Sequence, residues 1–134
     1  MKILFVCSGN AFRSPLAEAL LKKFKPGIEV DSTGTNPVVP VAVAESTKRY
    51  LIKENANQYL KQIPEGLNEK DLNKYDLIVA MKTENKDVIL SKCPECETKI
   101  VVWNIDDPYF LPQGYTKKIF ERIKQKVKEL AGSL

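Results

Sequence analysis

The chain has 134 residues, 43% of them hydrophobic, with 21 Lys and Arg against 17 Asp and Glu, a formal charge of +4 and no histidine. That size suits one domain over residues 1–134 with a real core, and the small positive excess favours anionic ligands without the dense basic face of a nucleic-acid binder. The missing histidine removes Cys/His dyads, Ser/His/Asp triads and the usual zinc sites, so any nucleophile must be activated without imidazole.

The first apolar run, residues 3–7, is too short for a signal-peptide core, and no stretch approaches a membrane span, which makes the cytoplasm the expected location. Three cysteines are too few and odd in number for a secreted disulfide framework, and they leave at least one free thiol.

In chain order, residues 2–7 (KILFVC) are predicted as a buried strand that ends in the polar stretch SGNAFRS. A helix follows, capped by Ser14 with Pro15 in its first turn, carrying Leu16, Ala17, Leu20, Leu21 and Phe24 on one face until Pro26 and Gly27 stop it. Residues 28–32 form a second strand, 33–40 a loop and 41–54 a second helix, while 55–66 has no clear period. Residues 67–75 form a short helix before the strand at 76–80, and a helix over 83–91 leads to a fourth strand at 99–105. After a Pro-punctuated loop at 106–114, Ile119, Phe120, Ile123, Val127 and Leu130 stripe a final helix. Alternating strands and helices predict a flavodoxin-like, three-layer α/β domain with a four-stranded parallel sheet covered on both faces. Ligands bind beyond the carboxyl ends of such strands, where residues 8–14 and 106–109 should meet.

Residues 7–13 read Cys-Ser-Gly-Asn-Ala-Phe-Arg, a cysteine at a strand end and an arginine at a helix mouth. If the loop curls, its amide N–H groups converge and the positive helix end reinforces them, as in a phosphate cradle. The same field favours thiolate at Cys7, the form that attacks. Gly9 and Asn10 tolerate the left-handed angles a tight nest requires. Arg13 presents a planar fork for two phosphate oxygens, which lysine lacks. A packing cysteine and a solvated arginine are the plain alternative, and the placement between strand and helix weighs against it.

With these residues in view, VCSGNAFRSPLAEAL resembles the opening of the low-molecular-weight protein tyrosine phosphatases, whose loop reads C-x-G-N-x-x-R-S; Cys7, Gly9, Asn10, Arg13 and Ser14 match. The likeness continues through DSTGT at 31–35, YDLIVAM at 75–81 and DDPYF at 106–110. It implies the phosphotyrosine phosphatase I fold with strand order 2-1-3-4. It also implies a phosphatase acting through a phosphocysteine on phosphorylated protein, phosphotyrosine foremost, or on a small phosphate ester. No cofactor, metal, nucleic acid or membrane is called for, and a monomer is expected. By the same resemblance Asp107, directly before Pro108, is the general acid, with Asp106 as its rival. Ser8, Gly9, Asn10, Ala11, Phe12 and Arg13 bind phosphate, Ser14 hydrogen-bonds the Cys7 sulfur, and Asn10 and Ser32 brace the loop. Tyr109 forms one wall of the pocket, and Val38 and Val39 stand in at the other.

The sequence departs from the family pattern in places. Phe12 occupies the site of a second loop cysteine, Lys82 replaces an acidic residue, and no histidine supports Asn10. A second reading is a thioredoxin-coupled arsenate reductase, which WNIDDP at 103–108 resembles. It requires resolving cysteines near Cys7. Cys93 and Cys96 precede strand four, which at about 3.3 Å per residue sets them on the order of 20 Å from Asp107. A small disulfide or a reduced turn is their expected state. A third reading is a non-catalytic phosphate- or flavin-binding module.

Overall fold

The computed structural model describes residues 1–37, 43–108, 111–112 and 114–134. Four strands, β1 (Lys2–Cys7), β2 (Glu29–Gly34), β3 (Leu77–Ala80) and β4 (Ile100–Val102), form one sheet in the order β2-β1-β3-β4. Each neighbouring pair is parallel, with Cys7 level with Gly34 and Val6 level with Ala80. The helices are α1 (Arg13–Phe24), α2 (Glu45–Lys53), α3 (Thr83–Lys92) and α4 (Gly114–Ser133). The expected three-layer architecture and strand order are therefore borne out.

Burial on both faces explains why β1 is an unbroken apolar run and not an alternating one. Ile3, Phe5 and Cys7 face a cluster containing Leu16 and Leu20 of α1 with Ile119, Ile123 and Val127 of α4. Leu4 and Val6 face the opposite cluster, with Ile78, Ala80, Ile89 and Cys96. Successive residues of a strand alternate between faces, so Cys7, the last of β1, carries its sulfur onto the α1 side. Among the described residues no helix is long and apolar enough to cross a membrane.

Several boundaries differ from the sequence expectation. Helix α1 begins at Arg13, and its N-cap residue, Phe12, makes no side-chain cap. Ser14 is therefore not the cap, because its hydroxyl is engaged by Cys7 and Asn10. Strand β2 runs on to Gly34, since residues 33 and 34 pair with the end of β1. Helix α2 is confined to Glu45–Lys53, and the helix expected at 67–75 is two 3₁₀ turns, Leu67–Glu69 and Leu72–Lys74. Strand β4 is short, but the chain stays along β3 beyond it: Trp103 N–H donates to Ala80 O (2.9 Å) and Ile105 N–H to Met81 O (2.7 Å). Asn104 between them has φ 56°, a left-handed angle that interrupts the ladder.

Cys93 and Cys96 are joined in a disulfide. Both are buried in the cluster on the face opposite Cys7, before β4 begins. β4 opens at Ile100, which pairs with Ile78 and through it stands level with Leu4. The three residues from Leu4 to Cys7 add about 10 Å along the strand. The pair is therefore remote from the Cys7 sulfur, and the arsenate reductase reading lacks the resolving thiol it needs.

Candidate active site

The 7–13 loop is shaped by what its carbonyls bond. Cys7 O accepts from Thr35 N–H and Ser8 O from Asn36 N–H, each at 2.9 Å, while Ala11 O accepts from Ala44 N–H at 3.0 Å. A trans peptide sends its C=O and the following N–H to opposite sides. Tying these carbonyls outward therefore turns the N–H groups of Ser8, Gly9 and Phe12 the other way. Asn10 N–H reaches the Cys7 sulfur at 3.2 Å. Of the two residues that tolerate a left-handed angle, Asn10 adopts one, with φ 54°, and Gly9 does not. The backbone reverses at one residue, and asparagine's short polar side chain suits that role.

Gly34 is the glycine that the loop depends on. A Cβ there would lie 2.6 Å from Ser8 O, 3.0 Å from Asn10 N and 3.1 Å from Asn10 Cβ. β2 thus packs its bare backbone against the back of the loop.

Cys7 Sγ lies 2.9 Å from Ser14 Oγ. The Asn10 side-chain amide donates to Ser14 Oγ (2.8 Å) and to Ser32 Oγ (3.0 Å). Ser32 donates in turn to the buried Glu18 carboxylate at 2.5 Å. On its oxygen side Asn10 accepts from Glu65 N–H (2.8 Å) and Lys61 Nζ (3.1 Å). Both groups are donors only, so the amide's orientation is unambiguous. Burial pushes the Glu65 carboxyl upward, but Lys61 and Lys70 outweigh it and hold its pKa below the usual carboxylate range.

Arg13 is almost fully buried. Its Nη1 donates to Ile105 O at 2.8 Å, and its Nη2 lies 3.4 Å from Asp107 Oδ2. The left-handed turn at Asn104 therefore brings both a carbonyl and a carboxylate from the β4 end onto the guanidinium. Asp106 points elsewhere, to Lys82 Nζ at 2.6 Å, and that hydrogen bond holds its carboxyl below the usual range. The two aspartates thus face different cations, Asp107 the Arg13 guanidinium and Asp106 the Lys82 ammonium. Among the described residues, Ser8, Arg13, Lys82, Glu84, Asp106, Asp107 and Leu111 line a cleft of about 320 Å³, at the small end of ligand sites.

The structure brings together Cys7, Ser8, Asn10, Arg13, Ser14, Ser32 and Asp107. Tyr109, Val38 and Val39 lie outside the described residues. The sequence reading missed Glu18, Gly34, Lys61 and Asn85. Asn85, nearly fully buried, donates to Ser8 Oγ and Thr35 Oγ1, each at 3.2 Å, from the first turn of α3. Among the described residues no cluster of His, Cys, Asp or Glu is arranged to hold a metal ion.

A family model described as low molecular weight phosphotyrosine protein phosphatase matches residues 2–134. The low molecular weight protein-tyrosine-phosphatase Wzb of Salmonella typhi is 30% identical, across 99% of this chain and 93% of its own length. The Etp protein of Escherichia coli K12, of the same description, is 29% identical across 98% and 93%. Among solved structures, the low molecular weight protein tyrosine phosphatase from T. tengcongensis superposes with TM-score 0.88 at 28% identity, covering 100% of this chain and 99% of that one. The YwlE arginine phosphatase from Geobacillus stearothermophilus does so with TM-score 0.86 at 27%, covering 98% and 91%. With the cysteine loop, the parallel sheet and these likenesses in agreement, the chain belongs to the low molecular weight phosphotyrosine protein phosphatase family and is a phosphatase.

Proposed function

We propose that this phosphatase acts on protein phosphotyrosine through a phosphocysteine formed on Cys7, with Arg13 as phosphate clamp and Asp107 as general acid, in one cytoplasmic, monomeric domain that needs no metal, cofactor, nucleic acid or membrane. The observation that carries this reading is the meeting of three groups at one sheet edge. They are a buried sulfur receiving the Asn10 N–H, an arginine fixed by Ile105 O, and a carboxylate beside that arginine.

In the first step the Cys7 thiolate attacks phosphorus as the bond to the ester oxygen breaks. Asp107 delivers its proton to the departing oxygen. The ionised Asp107 then takes a proton from water, whose oxygen attacks phosphorus. The P–S bond breaks, releasing inorganic phosphate and the thiolate. The Arg13 guanidinium and the loop amides hold the equatorial oxygens in both steps, where charge spreads in the transition state. Ser14 steadies the sulfur as nucleophile and leaving group, while Asn10 and Ser32 brace the loop.

A recessed nucleophile favours the longer reach of an aryl phosphate over phosphoserine; Cys7 is 2% exposed. The proteins this chain resembles at the level of sequence are named as tyrosine phosphatases. Rapid acid quench during turnover of a phosphotyrosine peptide, with chelator present, should trap a phosphoryl group on the Cys7 peptide. Turnover that requires added metal, or a phosphoserine peptide hydrolysed faster than its phosphotyrosine twin, would contradict the reading.

Gly34→Ala provides a second check. The added methyl meets loop backbone, which cannot swing aside as a side chain could. Overpacking of this kind costs about 1–3 kcal/mol, and a displaced cradle should lower kcat/KM by roughly 10²-fold. Kinetics with 4-nitrophenyl phosphate beside a thermal melt will separate the two effects.

A further inference from the structure

We infer that Lys61 is a positioning residue for the nucleophile: it heads a one-way chain of hydrogen bonds, through Asn10 and Ser14, that ends on the Cys7 sulfur. The inference rests on the reading of Cys7 as nucleophile.

Lys61 lies in the segment without sequence period, yet its side chain is only 10% exposed. Its three ammonium hydrogens meet three acceptors: Asn10 Oδ1 (3.1 Å), Ser32 O (2.7 Å) and Glu65 Oε1 (2.7 Å). Asn10 passes the polarity on, because an amide oxygen engaged by a cation strengthens the N–H donors at its other end. One of those donors enters Ser14 Oγ at 2.8 Å. With that lone pair occupied, the Ser14 proton has two acceptors to choose from, Cys7 Sγ at 2.9 Å and Thr33 O at 3.4 Å. The nearer is the sulfur. Every donor in the chain thus points from ammonium toward thiolate.

The charge at its head is met by Glu65 and belongs to a cluster in which Lys22, Lys61 and Lys70 face Glu18, Asp31 and Glu65, so what reaches the sulfur is carried by the hydrogen bonds. Glu65 shares its other oxygen with Lys70 at 2.7 Å. Glu18, whose Oε1 is 4.0 Å from Lys61, bonds Lys22 through Oε2 at 2.6 Å. Beyond the sulfur's own partners, Asn10 and Ser14, Arg13 of α1 pairs with Asp107 from the loop beyond β4. Lys61 bonds Asn10, Ser32 and Glu65, and of these Asn10 leads on through Ser14 to the sulfur, so removing Lys61 alters the sulfur by that route.

The test is the pH dependence of Cys7 alkylation by iodoacetate, with kcat and KM for 4-nitrophenyl phosphate. Cys93 and Cys96 are protected in their disulfide. Lys61→Met should lower kcat about tenfold, leave KM within about twofold, and move the alkylation midpoint up by about one pH unit. In a Ser14→Ala background, where the chain is already cut, the same change should add less than about twofold. A folded Lys61→Met with the wild-type alkylation profile overturns the inference, and so does a full, additive loss in Ser14→Ala. If Lys61→Met does not fold, Lys61→Gln decides, since it keeps a donor and loses the charge: a raised midpoint supports the inference and an unmoved one overturns it. The phosphatase reading is tested separately by wild-type turnover and its loss in Cys7→Ser.

Discussion

Cys7→Ser should lower turnover of 4-nitrophenyl phosphate by at least about 10⁴-fold, while the protein melts within a few degrees of wild type. A seryl hydroxyl at its ordinary pKa is a weak nucleophile and depends on a neighbouring base. This chain offers no imidazole, because it contains no histidine. The surroundings of residue 7 are instead built to hold an anion that forms without a base: the Asn10 N–H at 3.2 Å and the Ser14 hydroxyl at 2.9 Å converge on the sulfur. Removing a nucleophile from a group of residues that act as a unit forfeits most of their joint effect, so the loss is expected to be far larger than one hydrogen bond. The fold should survive, since an oxygen at this position retains both polar partners. Inorganic phosphate should still bind through Arg13 and the loop amides, and protection of the loop from hydrogen exchange by phosphate will show it. Substantial turnover by Cys7→Ser would remove the covalent route.

Much of this site is legible in the sequence because its chemistry is compressed into seven consecutive residues, 7–13, that follow an apolar strand. β1 and β3 announce themselves as short apolar runs, and α1 and α4 as periodic ones, because sheet and helices are buried on the faces those patterns describe. The supporting residues carry no comparable local signal. Glu18 sits within an apolar helix, and its burial makes sense only once Ser32 and Lys22 are seen beside it. Lys61 reaches Asn10, fifty-one positions away along the chain. Its segment is held by such distant contacts and not by its own period. Gly34 did leave a trace: a glycine at a strand end marks close backbone approach, and it stands in the DSTGT stretch. Ser14 has the sequence signature of a cap, but the sulfur competes for the same hydroxyl. Asn85 is also partly local, since its Oδ1 accepts from Lys82 N–H at the helix start while its amide reaches Ser8.

Asp107→Asn should slow hydrolysis of phenyl phosphate by roughly 10²- to 10³-fold, and that of 4-nitrophenyl phosphate far less. A phenolate of ordinary basicity departs slowly unless protonated, whereas 4-nitrophenolate leaves without help. An asparagine at 107 can still hydrogen-bond but cannot give up a proton. Asp106→Asn is the control. Its carboxylate is 64% exposed and bound to Lys82, while that of Asp107 is 22% exposed and faces Arg13. Asp106→Asn should therefore change either rate less than about threefold, as expected for a surface ion pair. A steep dependence on leaving-group pKa that appears in Asp107→Asn and not in Asp106→Asn would assign the proton to Asp107. The reverse pattern would move it one residue back and require the 106–107 turn to rotate, breaking the contact with Arg13.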